Sequence, residues 1–155
     1  MEFENRLDLF EPGDLTALVC CDVPEVQRIV VDQLTSMNYK MHTGLFVEDI
    51  LLKLRAHAYD VVIISENFAA TDVATNPLLC EAIRAPAHQR RKQTVVLVGS
   101  SLQTTDELQA FQHSVDLVVN LADVMNLRPV LRRTILRSQE LYAPLLETLK
   151  AAGRA

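Results

Sequence analysis

Glycine is scarce in this chain, with four residues in 155, at positions 13, 44, 99 and 153. No glycine-rich loop is available to wrap a phosphate, which excludes nucleotide cradles of the P-loop and dinucleotide-binding kinds. Tryptophan is absent and aromatics make up 5% of the chain, so the core must be built from aliphatic side chains. Three cysteines, two of them adjacent at Cys20 and Cys21, are too few for a disulfide framework and point to a reduced cytoplasm. Neighbours on a strand face opposite ways, so Cys20 and Cys21 read as buried structural thiols and not as a bridge. His42, His57, His88 and His113 share no metal-ligand spacing, so zinc is not expected. No apolar run approaches the roughly 18 residues that span a bilayer. The N-terminus also lacks the basic and then apolar stretch of a signal peptide. Neither a cofactor nor a membrane partner is expected.

What is present fits one domain large enough to bury a core, with 49% hydrophobic and 23% charged residues. The net charge of −5 is uneven: residues 124–155 carry six basic side chains against two acids, which leaves −9 for the rest. Two arginine clusters stand out, Arg84/Arg90/Arg91/Lys92 and Arg128/Arg132/Arg133/Arg137. They read first as solvated faces that complement an acidic body, and second as a nucleic-acid contact.

The chain is organised around residues 59–67, Tyr-Asp-Val-Val-Ile-Ile-Ser-Glu-Asn. Four β-branched residues without alternation read as a strand buried on both faces of a parallel sheet. Ligand crevices of such sheets lie at the carboxyl ends of the strands, which makes Ser65 a site position. Ahead of it the pattern predicts strands over 16–21 and 39–44, the second more polar and nearer an edge. Between them lies a helix, opened by Asp22 as N-cap, Pro24 in its first turn and Glu25 in a capping box. Its apolar face is Val26, Ile29, Val30 and Leu34, and Asn38 is expected to take a left-handed conformation at its end.

A helix over 48–57 precedes the central strand. A polar loop over 66–75 follows it, and Asn76-Pro77 then opens another helix. A basic loop or short helix over 88–92, a strand over 93–99, a helix over 104–113 with Leu108 and Phe111 inward, and a strand over 115–120 complete the body. The last segment, from about 124 to 152, is long. Pro129 must sit in its first turn, and Pro144 is expected to split it near Tyr142. Five β-α repeats predict a doubly wound five-stranded parallel sheet, order 2-1-3-4-5, with an extended C-terminal helix. The divisions are an arm over 1–14, a main domain over 15–142 and a helical extension over 143–155.

Segment by segment, residues 15–140 resemble the CheY-like receiver domain of response regulators. The resemblance rests on Val19-Cys20-Cys21-Asp22-Val23-Pro24, Asn38-Tyr39-Lys40-Met41, Asp49-Ile50-Leu51 and Tyr59 to Ile64. It implies Mg²⁺ held by an acidic pair, an acceptor aspartate after strand three, a hydroxyl after strand four and a lysine after strand five. This chain places Cys21 and Asp22 at the acidic pair, Ser65 at the acceptor and Gly99 at the hydroxyl position, with Ser100 and Ser101 beyond. Asn120 or Leu121 stands for the lysine, Ala122 for the following proline and Val118 for the aromatic switch. A one-residue slip would put Glu66 at the acceptor position as a permanently charged mimic; the apolar count favours Ser65.

The reading is a pseudo-receiver: no enzyme, but a protein-interaction module in bacterial signalling. No metal is expected unless Asp22 serves a residual phosphotransfer chemistry. Asp22, Ser65, Glu66 and Ser100 lack a histidine base for hydrolysis. A partner protein is implied, and a homodimer through the C-terminal stripe of Leu131, Ile135, Leu141, Tyr142, Leu145 and Leu149 is expected. The alternatives are a phosphorelay regulator with a non-standard acceptor and a nucleic-acid adaptor that uses the arginine face.

Overall fold

A computed structural model describes residues 10–44, 46–68 and 73–153. Much of the predicted arm, part of the loop over 66–75 and Arg154 lie outside the described residues. The strands are β1 (Thr16–Cys20), β2 (Lys40–Thr43), β3 (Val61–Ser65), β4 (Thr94–Gly99) and β5 (Leu117–Asn120). They form one parallel sheet in the order β2-β1-β3-β4-β5, and the polar β2 is an edge, as its sequence implied. The helices are α1 (Pro24–Ser36), α2 (Val47–Ala56), α3 (Pro77–Ile83), α4 (Ala87–Arg90), α5 (Glu107–Gln112) and α6 (Leu127–Ala151).

Period-two alternation sorts the sheet residues into two cores. Leu18, Cys20, Val62, Ile64, Leu97 and Val118 pack with Ile50 of α2, Leu78 of α3 and Ala110 of α5. Ala17, Val19, Val61, Ile63, Val96 and Val119 pack on the other face with Val30 and Leu34 of α1 and Leu127 and Leu131 of α6.

Three local expectations are corrected. Val23, not Asp22, is the N-cap of α1, and it makes no side-chain cap bond. The Asp22 amide instead donates to Ser65 Oγ at 3.3 Å, so β3 holds the residue that was to turn into the helix. Helix α5 begins later than expected because Asp106 caps it, accepting from the Gln109 amide at 3.0 Å. The later start turns Leu108 and Phe111 outward, 66% and 82% exposed, and leaves Ala110 to face the core. Pro144 does not split the C-terminal segment, since α6 is continuous through it. Proline removes the bond to the carbonyl of Glu140, and both residues are exposed, so water can satisfy that carbonyl. The division at residue 142 therefore falls inside one helix. Asn38, by contrast, has the expected positive φ of 67°.

Next to the sheet edge, Phe10 stacks on the buried His42 with ring centroids 4.1 Å apart, and His42 Nδ1 lies 2.7 Å from the Tyr59 hydroxyl. Burial first, then the nearby His57 and Lys53, lowers the His42 pKa to about 4. The unfolded chain takes up this proton first on acidification. Stability is thus complete above about pH 6.5 and is lost as the pH falls toward 4. After discounting for solvent relaxation, we expect a loss of about 2 kcal/mol across that window. Urea unfolding of the parent at successive pH values should show it, and His42→Gln should flatten the slope.

Candidate functional site

Parallel pairing aligns the carboxyl ends of β1, β3, β4 and β5 into one crevice: Cys20 pairs with Ile64, Ser65 with Val98, and Gly99 with Asn120. The sequence-predicted positions Cys21, Asp22, Ser65, Glu66, Gly99 and Asn120 all gather there. Cys21 follows β1, is buried, and its thiol is pushed up to about 11 by burial, against the opposing hydrogen bond from Ser65. Asp22 is exposed, with its amide donating to Ser65 Oγ. Ser65, the last residue of β3, is buried on the Cys21 side of the sheet.

Glu66 points the other way. It is 4% exposed, its amide donates to the Val98 carbonyl at 2.8 Å, and Ser101 grips both carboxylate oxygens. The Ser101 amide donates to Oε1 at 3.0 Å and its hydroxyl donates to Oε2 at 2.5 Å. Gly99 makes room for this, because a Cβ there would overlap the Glu66 carboxyl group. Asn76 holds the floor from below. Its Nδ2 donates to the carbonyls of Ser65 (2.9 Å) and Glu66 (3.2 Å), and its Oδ1 accepts from the amides of Leu78 and Leu79.

At the far side, Asn120 braces loops. Its Nδ2 donates to the Leu102 carbonyl at 2.7 Å and the Ser100 carbonyl at 3.3 Å, while Oδ1 accepts from Ala122 N at 2.8 Å. Leu121 opens a 3₁₀ turn (Leu121–Asn126) and packs against the α1–α6 core. Thr104 Oγ1 accepts from Asn120 N and donates to Asp123. The roles of Ser101 and Thr104 were missed in the sequence because their partners lie 35 and 16 to 19 residues away.

Mg²⁺, which the receiver resemblance implies, does not fit this donor set. The ion needs hard oxygen ligands, and here one place holds a protonated thiol, another a neutral hydroxyl, and the buried carboxylate already has both oxygens engaged. Among the described residues at the ends of these strands, Asp22 is the one exposed acid. Among the described residues no three His, Cys, Asp or Glu side chains cluster to hold a metal ion.

The arginines are partly committed to the body: Arg128 donates to Ser36, Arg137 pairs with Glu107 at 2.8 Å, and Arg90 pairs with Asp116 at 3.3 Å. In the C-terminal stripe, Leu131 is fully buried and Ile135 is packed on the core, so neither is free for a partner, a correction to the expected interaction helix. Leu141 and Leu145 are 72% and 41% exposed, with Tyr142 and Leu149 intermediate.

No family model and no curated protein matches the chain. Solved structures do. The chemotaxis response regulator CheY4 of Vibrio cholerae aligns at 14% identity over 79% of this chain and 99% of that one, with a TM-score of 0.56. HP1043, an orphan response regulator of H. pylori, aligns at 14% over 81% and 99%, with a TM-score of 0.58. The signal receiver domain of an HD domain-containing protein from Pseudomonas fluorescens Pf-5 gives 14%, 84%, 93% and 0.60. The chain therefore has the CheY-like receiver fold of response regulators. At this identity the likeness is one of architecture, and function has to be argued from the crevice.

Proposed function

We propose that this chain is a pseudo-receiver: a non-enzymatic module that works in bacterial signal transduction through protein contacts, pairs with a second copy, and does not take up a phosphoryl group. The observation that carries the reading is the pair of hydroxyl contacts in the crevice. Ser65 occupies the acceptor place and accepts from the Asp22 amide, while Glu66, the acid next in sequence, has both carboxylate oxygens bonded to Ser101. An acyl phosphate needs a free carboxylate, and its charge needs a cation beside it. Asn120, at the lysine place, spends its side chain on loop carbonyls.

An interaction role is supported by large exposed apolar side chains on α5 and α6, among them Phe111, Leu108 and Leu141. No helix among the described residues is long and apolar enough to cross a membrane, and a cytoplasmic setting suits the unpaired thiols. The test is incubation with acetyl phosphate and Mg²⁺ followed by intact-mass measurement. We expect no phosphoryl adduct. A stable adduct on Ser65 or Glu66 would instead establish phosphorelay through a non-standard acceptor.

A further inference from the structure

We infer that the outer face of the first half of α6 is a contact surface for a partner protein, and that the partner meets it with an acidic amphipathic helix. The apolar stripe of that helix sits on Pro129 and Leu136, and its carboxylates meet the arginines to either side. This rests on the protein-contact reading above and assigns its surface and the chemistry of the partner.

Helix α6 packs on the body through Leu127 and Leu131, with Val130 and Ile135 beside them. On the side turned away, Arg128, Arg132, Arg133 and Arg137 line a shallow groove of about 550 Å³ whose centre is Pro129 and Leu136. At 3.6 residues per turn, Arg128 and Arg132 fall on one flank of that apolar centre, and Arg133 and Arg137 on the other. The arrangement extends for about 14 Å along the axis, at 1.5 Å per residue. It points away from the body, so a partner can lie along it without meeting the rest of the chain.

Little of this charge is matched by the chain's own acids. Arg137 reaches Glu107, but both side chains are mostly exposed and such a pair contributes little. Arg128 donates to the Ser36 hydroxyl at 3.3 Å. The side chains of Arg132 and Arg133, nearest the apolar centre, form no hydrogen bond or ion pair among the described residues. Leu136 stands between them with 58% of its surface exposed.

Guanidinium groups are weakly hydrated planar forks that bind carboxylates two bonds at a time, and arginines around an apolar anchor are a common centre of protein contacts. The two rows fix the partner's form. Acids on both flanks of an apolar stripe need residues three and four apart to share a face, as on a helix. An extended segment presents only alternate residues and fills one row. A nucleic-acid duplex would meet the same arginines, yet it offers nothing to Leu136. Glu140 at the end of the groove and the −9 carried by residues 1–123 would also repel its dense phosphate charge far more than a few carboxylates.

The experiment titrates the full chain into two labelled probes and follows fluorescence anisotropy. One is a synthetic helix with a leucine stripe flanked on both sides by glutamates, the other a mixed-sequence DNA duplex. The peptide should bind saturably and more tightly than the duplex, and the same peptide with glutamine for glutamate should not bind. Arg132→Gln with Arg133→Gln should weaken peptide binding about tenfold, and Leu136→Ala about fivefold. Circular dichroism and melting should stay unchanged, since all three positions are exposed. Arg84→Gln with Lys92→Gln removes as much charge from the other basic cluster and should leave binding within about twofold. A peptide that does not bind overturns the inference, as does binding that Arg132→Gln with Arg133→Gln leaves unchanged or that both double variants weaken equally. So does a Leu136→Ala variant that binds like the parent. A duplex that binds as tightly as the peptide and is lost with Arg132 and Arg133 also overturns it, and makes the face a nucleic-acid contact. None of these outcomes alters the acetyl phosphate result, and a phosphoryl adduct would sink the pseudo-receiver reading while leaving this surface standing.

Discussion

Gly99→Ala should destabilise the protein by about 3 kcal/mol, far more than one added methyl group usually costs on a strand. Gly99 has no positive φ, so alanine suits its backbone and the whole effect must come from the new Cβ. That atom overlaps the Glu66 carboxyl group and its Cγ. Glu66 is 4% exposed and both its oxygens are bonded to Ser101, so it can yield only by giving up two charge-assisted hydrogen bonds. A buried carboxylate without partners is among the costlier defects a fold can carry. The companion experiment isolates the cause. In a Glu66→Ala background the collision is gone, and Gly99→Ala should cost less than about 1 kcal/mol. Urea unfolding of the four proteins gives the coupling energy directly.

Among truncations of polar side chains, Asn76→Ala should be the most damaging, at about 4 kcal/mol. Asn76 is fully buried and makes four hydrogen bonds: two that cap α3 and two that hold the carbonyls of Ser65 and Glu66. Alanine loses the cap, worth about 1 kcal/mol, removes the side-chain donor to the Glu66 carbonyl and leaves the Ser65 carbonyl with the Phe68 amide. Asn76→Asp keeps the acceptor for Leu78 and Leu79 but sets a carboxylate oxygen against the Ser65 and Glu66 carbonyls in a fully buried place, so its midpoint should fall at or below that of Asn76→Ala. Hydrogen exchange should separate the two effects, because the Leu78 and Leu79 amides lose protection in the alanine variant and keep most of it in the aspartate variant.

These two residues also mark the limit of what could be read from the sequence. Asn76-Pro77 announces a helix start, and the structure has one there, but nothing local says that the same amide reaches back to β3. The five strands and the polar edge were legible because buried parallel strands are apolar on both faces and edge strands are not. Asn38 was legible because few residues other than glycine adopt a positive φ.

The failures came where two local signals competed. Asp22 satisfies the rules for a cap, yet a hydroxyl across the sheet claimed its amide. The helix expected from 104 is capped at Asp106, and in the six-residue helix that results Phe111 faces outward. In the crevice, the residue types at the end of each strand followed from spacing. The Glu66–Ser101 grip did not, because it depends on how β3 and β4 stand side by side.

At the centre of this account is a phosphotransfer scaffold whose acceptor place holds a hydroxyl and whose neighbouring acid is already occupied. The most direct test is a beryllofluoride titration with Mg²⁺, followed through the backbone amide resonances of Asp22, Ser65, Glu66 and Ser101. The account expects those resonances to stay in place up to millimolar ligand. A saturable shift centred on these four amides would mean that the crevice still accepts a phosphoryl mimic and its cation, and would contradict it.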